Sequence, residues 1–194
     1  FRLTESPVMA PELQAQFPEI RTYTGQGIDD PTATLKCDLT PHGFHAMVMS
    51  ALHSSVYVDP YSQGDTEHYV VYFKKDYLPK NDDAPFVCET PDEDLKEITL
   101  NDGAAKLQGD CQLRRYRLAL ACTGEYTNFH GGTVALALAA MNTTMNRVNG
   151  VYENDFAITM QIIANNNLII YTNPSTDPYS NGNASTMLGE NQTT

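Results

Sequence analysis

The sequence predicts an α+β protein, an antiparallel β-rich part followed by a βαβ unit, and three observations carry that expectation. Short runs of alternating apolar residues recur through the first 76 positions, separated by Pro, Gly and Asp turn signals. Val134, Leu138, Met141, Met145 and Val148 recur at steps of four, three, four and three, which puts them on one face of a helix. Apolar runs at 116–123 and 156–164 flank that helix, as two buried strands would.

In chain order, prolines at 7, 11 and 18 punctuate the start. Ala10-Pro-Glu-Leu-Gln-Ala-Gln-Phe-Pro18 allows a short helix, with Pro11 in its first turn and Pro18 ending it. Glu19 to Tyr23 reads as a strand, and Gly25 to Pro31 as a turn. Further strands are expected at 33–39, 43–49, 55–59 and 67–76. Phe44, Ala46 and Val48 alternate with His45, Met47 and Met49, and Tyr69, Val71 and Phe73 with Val70, Tyr72 and Lys74. That pattern predicts an antiparallel meander with one better-buried face.

From about Leu78 to Asp110 the chain turns acidic and proline-punctuated, with Asn101-Asp-Gly adding a turn. The expected organisation is therefore a β domain over 1–80, a linker over 81–110 and a second unit over 111–194. Beyond the linker, 116–123 is expected to be a buried strand and 124–132 a turn. The helix is expected to end on Gly150 as a left-handed cap, before a strand at 156–164 covered on both faces. From Asn173 onward the sequence reads as loop, with Met187 and Leu188 as apolar anchors. A βαβ unit needs a sheet wider than two strands, so an open hydrophobic edge is expected, filled by a complementary C-terminal piece or an exchanged copy of the chain.

Composition narrows the function. Of the 194 residues, 24 are acidic and 12 basic, a net charge of −12, which disfavours a phosphate-tracking surface and hence nucleic acid. No apolar run is long enough to span a membrane, and the opening Phe1-Arg-Leu-Thr-Glu-Ser has no signal-peptide pattern. Gly124, Gly131 and Gly132 do not form a nucleotide loop. The four cysteines, Cys37, Cys88, Cys111 and Cys122, lack C-x-x-C spacing, which disfavours a structural zinc site. An extended chain holds Cys111 and Cys122 too far apart for a disulfide without a bend, so Cys122 is expected to be a buried strand residue. Cys37 is left to pair with Cys88 or stay free. His45 and His53 are expected as exposed histidines, and Asp92, Glu93, Asp94 and Glu97 as a solvated linker, since neither set has ligand spacing. Glu125 is expected to be a turn residue or a carboxylate at a helix start. Three glycosylation-acceptor patterns, at Asn142, Asn183 and Asn191, are taken as chance.

Three runs carry a resemblance: Tyr116-Arg-Leu-Ala-Leu-Ala-Cys-Thr-Gly-Glu-Tyr126, Asn142-Thr-Thr-Met-Asn-Arg-Val-Asn-Gly-Val-Tyr-Glu153, and Ile162-Ile-Ala-Asn-Asn-Asn-Leu-Ile-Ile-Tyr-Thr-Asn173. Together they resemble the opening of the catalytic domain in bacterial reprolysin-like, adamalysin-type zinc metallopeptidases of the metzincin clan. The first 80 residues, with Phe17-Pro-Glu-Ile-Arg-Thr-Tyr-Thr-Gly25, Gly27-Ile-Asp-Asp-Pro31 and Gly43-Phe-His-Ala-Met47, resemble part of the propeptide that precedes it. The resemblance implies a secreted or cell-surface zymogen that is matured in the linker and then hydrolyses protein or peptide substrates with a zinc-activated water. In that family the zinc sits on H-E-x-x-H-x-x-G-x-x-H. His42, His45, His53, His68 and His130 contain no such spacing, so no catalytic residue is assigned and this chain itself is expected to hold no zinc and to be inactive. Cys88, in Pro85-Phe-Val-Cys-Glu-Thr, is the resemblance's candidate for a thiolate that caps the zinc in the full zymogen, with a buried thiol or a disulfide half as the alternatives. The competing expectation is a non-catalytic binding or inhibitory protein that uses its β domain.

Overall fold

A computed structural model describes residues 1–77 and 112–194. Six strands form one antiparallel meander in sequence order: β1 (Arg2–Glu5), β2 (Arg21–Gln26), β3 (Thr34–Thr40), β4 (Gly43–Met49), β5 (Val56–Pro60) and β6 (Tyr69–Phe73). Helix α1 (Pro11–Gln16) falls between β1 and β2, with Pro11 in its first turn as expected. The second unit begins with β7 (Arg114–Leu118) and the short helix α2 (Gly124–Phe129). The long helix α3 (Val134–Phe156), β8 (Ile158–Ile162) and α4 (Ala184–Thr193) follow, and β7 pairs in parallel with β8 across α3.

Strand alternation and register sort the meander into two unlike faces. One carries Tyr23, Leu35, Cys37, Phe44, Ala46, Val48, Val58 and Val71, with Leu35, Cys37 and Ala46 buried beneath their neighbours. The opposite face carries Thr22, Lys36, Asp38, His45, Met47, Tyr57, Asp59 and Tyr72, and this polar face is the one that α3 covers. The sequence expectation of one better-buried face holds in part. Lys36, Asp38 and Met47, on the polar face, are as buried as the apolar set.

The main core lies on the other side of α3. Leu138, Met141 and Met145 pack there with Ile162, Ile170 and Cys122, together with Met9, Leu13 and Ile20 from the N-terminal residues. Residues on both sides of the undescribed stretch thus share one core.

Several expectations are corrected in the second unit. The expected buried strand at 116–123 is instead β7, largely exposed, and it stops at Leu118: the Asn166 side chain takes both backbone groups of Leu120, accepting at 2.8 Å and donating at 2.9 Å, where strand pairing would otherwise continue. Residues 124–129 are helix rather than turn: the Thr123 hydroxyl caps the Tyr126 N–H, and Gly131 and Gly132, both at positive φ, end the segment. Gly150 does not cap α3. The helix runs six residues further and ends on Ala157 at φ 52°. Gly150 is there for space, since a Cβ would come within 2.9 Å of Lys36 Cγ and Met47 Cε. Strand β8 is half-buried rather than covered on both sides, with Arg115, Arg117, Thr159 and Gln161 on the face away from α3. Residues 184–193 are helical, not loop, capped by the Asn183 side chain on the Thr186 N–H, and Leu188 is exposed instead of anchoring. Among the described residues no helix is long and apolar enough to cross a membrane.

Candidate functional site

The chemistry-bearing side chains gather where the polar face of the meander meets α3. Residues 143, 146, 147, 150, 153 and 154 share one side of the helix, and β3 runs past them from Asp38 back to Thr34. Thr143 Oγ1 donates to Asp38 Oδ1 at 2.8 Å, and Asn146 Nδ2 to the Cys37 carbonyl at 3.0 Å. Lys36 Nζ meets Glu153 Oε2 at 2.6 Å and Thr24 Oγ1 at 2.9 Å, and Asn154 Nδ2 reaches Thr34 Oγ1 at 3.3 Å. These contacts are polar on both sides, with Met47 and Met49 packing against Gly150 between them, so the helix is held largely by hydrogen bonds and charge on this face and by apolar packing on the other.

A cleft of about 350 Å³ opens at one end of this seam, lined by His42, His45, Asp59, His130, Thr143 and Arg147 among others. His42 sits in the two-residue turn between β3 and β4, where Gly43 takes φ +110°. Its Nε2 lies 2.8 Å from the Leu136 carbonyl, which can only accept, so Nε2 carries the proton. His130, at the end of α2, places its ring centroid 5.8 Å from that of His42 and 4.4 Å from that of Tyr126. Burial, then the neighbouring His42, holds the His130 imidazole below its ordinary value. Asp59 accepts from Arg147 Nη2 at 2.6 Å and from the Tyr72 hydroxyl at 2.8 Å. Burial, then that hydrogen bond, pushes the Tyr72 phenol up to about 12.

His45 is corrected from an exposed histidine to a half-buried one whose Nδ1 lies 3.1 Å from Asp38 Oδ1. Histidine, aspartate and threonine thus adjoin, but in the wrong order for nucleophilic catalysis. The carboxylate stands between the other two and accepts from both, whereas an activated hydroxyl needs the imidazole as its direct base. The trio ties β3, β4 and α3 together. His53 is exposed, and Glu125 lies exposed in the first turn of α2, as expected.

Among the described residues no group of three or more His, Cys, Asp or Glu is gathered as a metal would require. Cys37 and Cys122 are free and buried; burial pushes the Cys37 thiol up to about 11 and raises that of Cys122, so neither offers a thiolate at neutral pH. Cys88, Cys111 and the acidic residues at 92–97 lie outside the described residues.

A second junction involves the N-terminal segment. After β1 the chain crosses to the outer edge of β8, where Ala10 N–H donates to the Ile162 carbonyl at 2.8 Å and Ile162 N–H to the Val8 carbonyl at 2.9 Å. Thr22 Oγ1 accepts from Val8 N–H at 3.2 Å and donates to the Ser6 carbonyl at 2.7 Å, fixing the crossing. The edge of β8, expected to be open, is filled by this strap; among the described residues the outer edge of β7 has no strand beside it.

The sequence reading missed Lys36, Asp38, Asp59, Thr143, Arg147 and Glu153. Their signal was present. Lys36 and Asp38 alternate on one strand face, and the helix carries a second stripe, polar and at helical spacing, beside its apolar one.

Residues 113–194 match the model of a protein family described as Metallo-peptidase family M12B Reprolysin-like, a family that depends on zinc. No curated protein and no solved structure matches the chain. The family match covers less than half of the chain and supports a reprolysin-like metallopeptidase.

Proposed function

We propose that the chain is part of a secreted bacterial zinc metalloendopeptidase zymogen, with the meander as its propeptide and residues from about 111 onward opening the catalytic domain. The observation that carries this reading is the family match over residues 113–194, preceded by a meander whose contact with α3 is largely polar, while Met9, Leu13 and Ile20 of its N-terminal part enter the core beyond the helix. The described residues do not fit a zinc ion, and no H-E-x-x-H occurs in the 194 residues. No hydrolytic step is therefore derived from them. In the parent protein zinc would supply a water activated for attack on the peptide carbonyl. This chain's residues would position the first strands and helix and keep the precursor latent. Cys88 is the candidate zinc-blocking thiolate in that precursor, and protein or peptide substrates are its partners. Cutting the full-length precursor within 81–110 and then measuring peptide hydrolysis with and without a chelator tests the proposal. Activity that appears on cutting and vanishes with the chelator is expected; a precursor equally active before and after the cut overturns it.

The second reading is a non-catalytic binding or inhibitory protein. The exposed, apolar β6 strand favours it. Intact mass and zinc content of the natural product separate the two: a longer chain with zinc supports the first, a metal-free protein of this size the second.

A further inference from the structure

The edge strand β6 is Tyr69-Val-Val-Tyr-Phe73, and it is unusual in being apolar and, among the described residues, open. Val71, at its centre, is 67% exposed, and Tyr69, Val70 and Phe73 are also exposed. Edge strands are ordinarily blunted by charge, proline or a bulge, because an unpaired ladder recruits another chain. None of these interrupts 69–73.

The backbone parity shows which groups are unspent. Tyr61 N–H donates to the His68 carbonyl at 2.9 Å and Lys74 N–H to the Ser55 carbonyl at 2.8 Å. The even-numbered residues of β6 therefore spend their backbone groups on β5, and those of Tyr69, Val71 and Phe73 point outward.

We propose that this edge pairs antiparallel with β6 of a second copy of the chain, about a two-fold axis at Val71. The strand is close to self-complementary in that register. Val71 faces its own counterpart and Tyr69 faces Phe73 on either side, so all three outward residues of each copy exchange both backbone hydrogen bonds within the strand. A shift to a neighbouring register pushes one of those pairs beyond the strand ends. The same register sets Lys75 of each copy opposite Glu67 of the other, so one pair of opposite charges meets at each end. Cross-strand aromatic and β-branched pairs of this kind are the favourable ones in antiparallel sheets. The apolar face of the meander, with Val58, Val48 and Phe44 beside Val71, would then run on without interruption from one copy into the next.

Analytical ultracentrifugation of the complete chain over a wide concentration range tests this, with two variants. Val71→Pro deletes only an outward N–H and leaves the β5–β6 ladder whole. Val71→Lys sets two ammonium groups against each other on the axis. A reversible dimer is expected, weakened about tenfold or more by each variant, with hydrogen exchange at residues 69, 71 and 73 slowing as concentration rises. A chain that stays monomeric at every concentration overturns the proposal. So does a dimer that neither variant weakens, or a monomer whose edge amides are already protected, since another segment then fills the edge.

Discussion

Replacing Glu153 with alanine strips the partner from a lysine whose side chain is 5% exposed, in the middle of the seam between β3 and α3. Lys36 Nζ then keeps only Thr24 Oγ1 among its hydrogen-bonding partners. Removing one member of a buried ion pair costs roughly 3–5 kcal/mol, because the remaining charge stays out of water without compensation. Glu153 is itself 22% exposed and water can reach the gap, so the lower end applies, about 3 kcal/mol. With a urea slope of about 2 kcal/mol/M, the unfolding midpoint should fall by about 1.5 M. The double variant Lys36→Met with Glu153→Leu removes both charges and should return to within about 1 kcal/mol of the parent, since the two desolvation costs disappear together. Urea unfolding of the three variants and the parent, followed by circular dichroism, measures all of it. If Glu153→Ala shifts the midpoint negligibly, or if the double variant is as unstable as the single, the seam is not held as described.

Three further outcomes follow from the same geometry. Gly124→Ala should destabilise by about 1–3 kcal/mol even though alanine favours helix, because the new Cβ would sit 2.3 Å from Pro174 N and 2.4 Å from the Asn173 carbonyl carbon, both backbone; a thermal melt unchanged from the parent refutes this. The His130 imidazole is depressed in the fold, so the unfolded chain binds more protons, and its share of stability is whole above the ordinary value of 6.5 and is lost as pH falls from there through the lower folded value. His130→Phe should therefore flatten the stability profile on the acid side, and an equally steep profile in the variant counts against it. Asn142 is buried with neither side-chain polar atom partnered, so Asn142→Leu should stabilise by about 1 kcal/mol, and a lower melting temperature would show that the amide has a use.

The meander was legible because its alternation is clean and its turns carry Pro, Gly and Asp: the strand at 43–49 falls where the sequence places it, and Pro11 and Pro18 bracket α1. The apolar stripe of α3 was equally plain, and its members do pack in the main core. What was illegible depends on long-range partners. Nothing local says that Asn166 will take the backbone of Leu120 and cut β7 short, or that Gly150 answers to Lys36 and Met47 more than a hundred residues earlier. Tertiary contact outweighed the local cap signal there. The candidate site was hidden for a related reason. Lys36 and Asp38 read as an ordinary wetted strand face, and only the approach of Glu153 and Thr143 turns them into the seam.

The meander turns its hydroxyls, amides and charges toward the long helix and its greasy side outward. Prising the two apart would let solvent wet that seam at once, yet it would also bare Met47 and the core that Met9, Leu13 and Ile20 share with Leu138 and Ile162, so the union is watery on one flank of the helix and dry on the other.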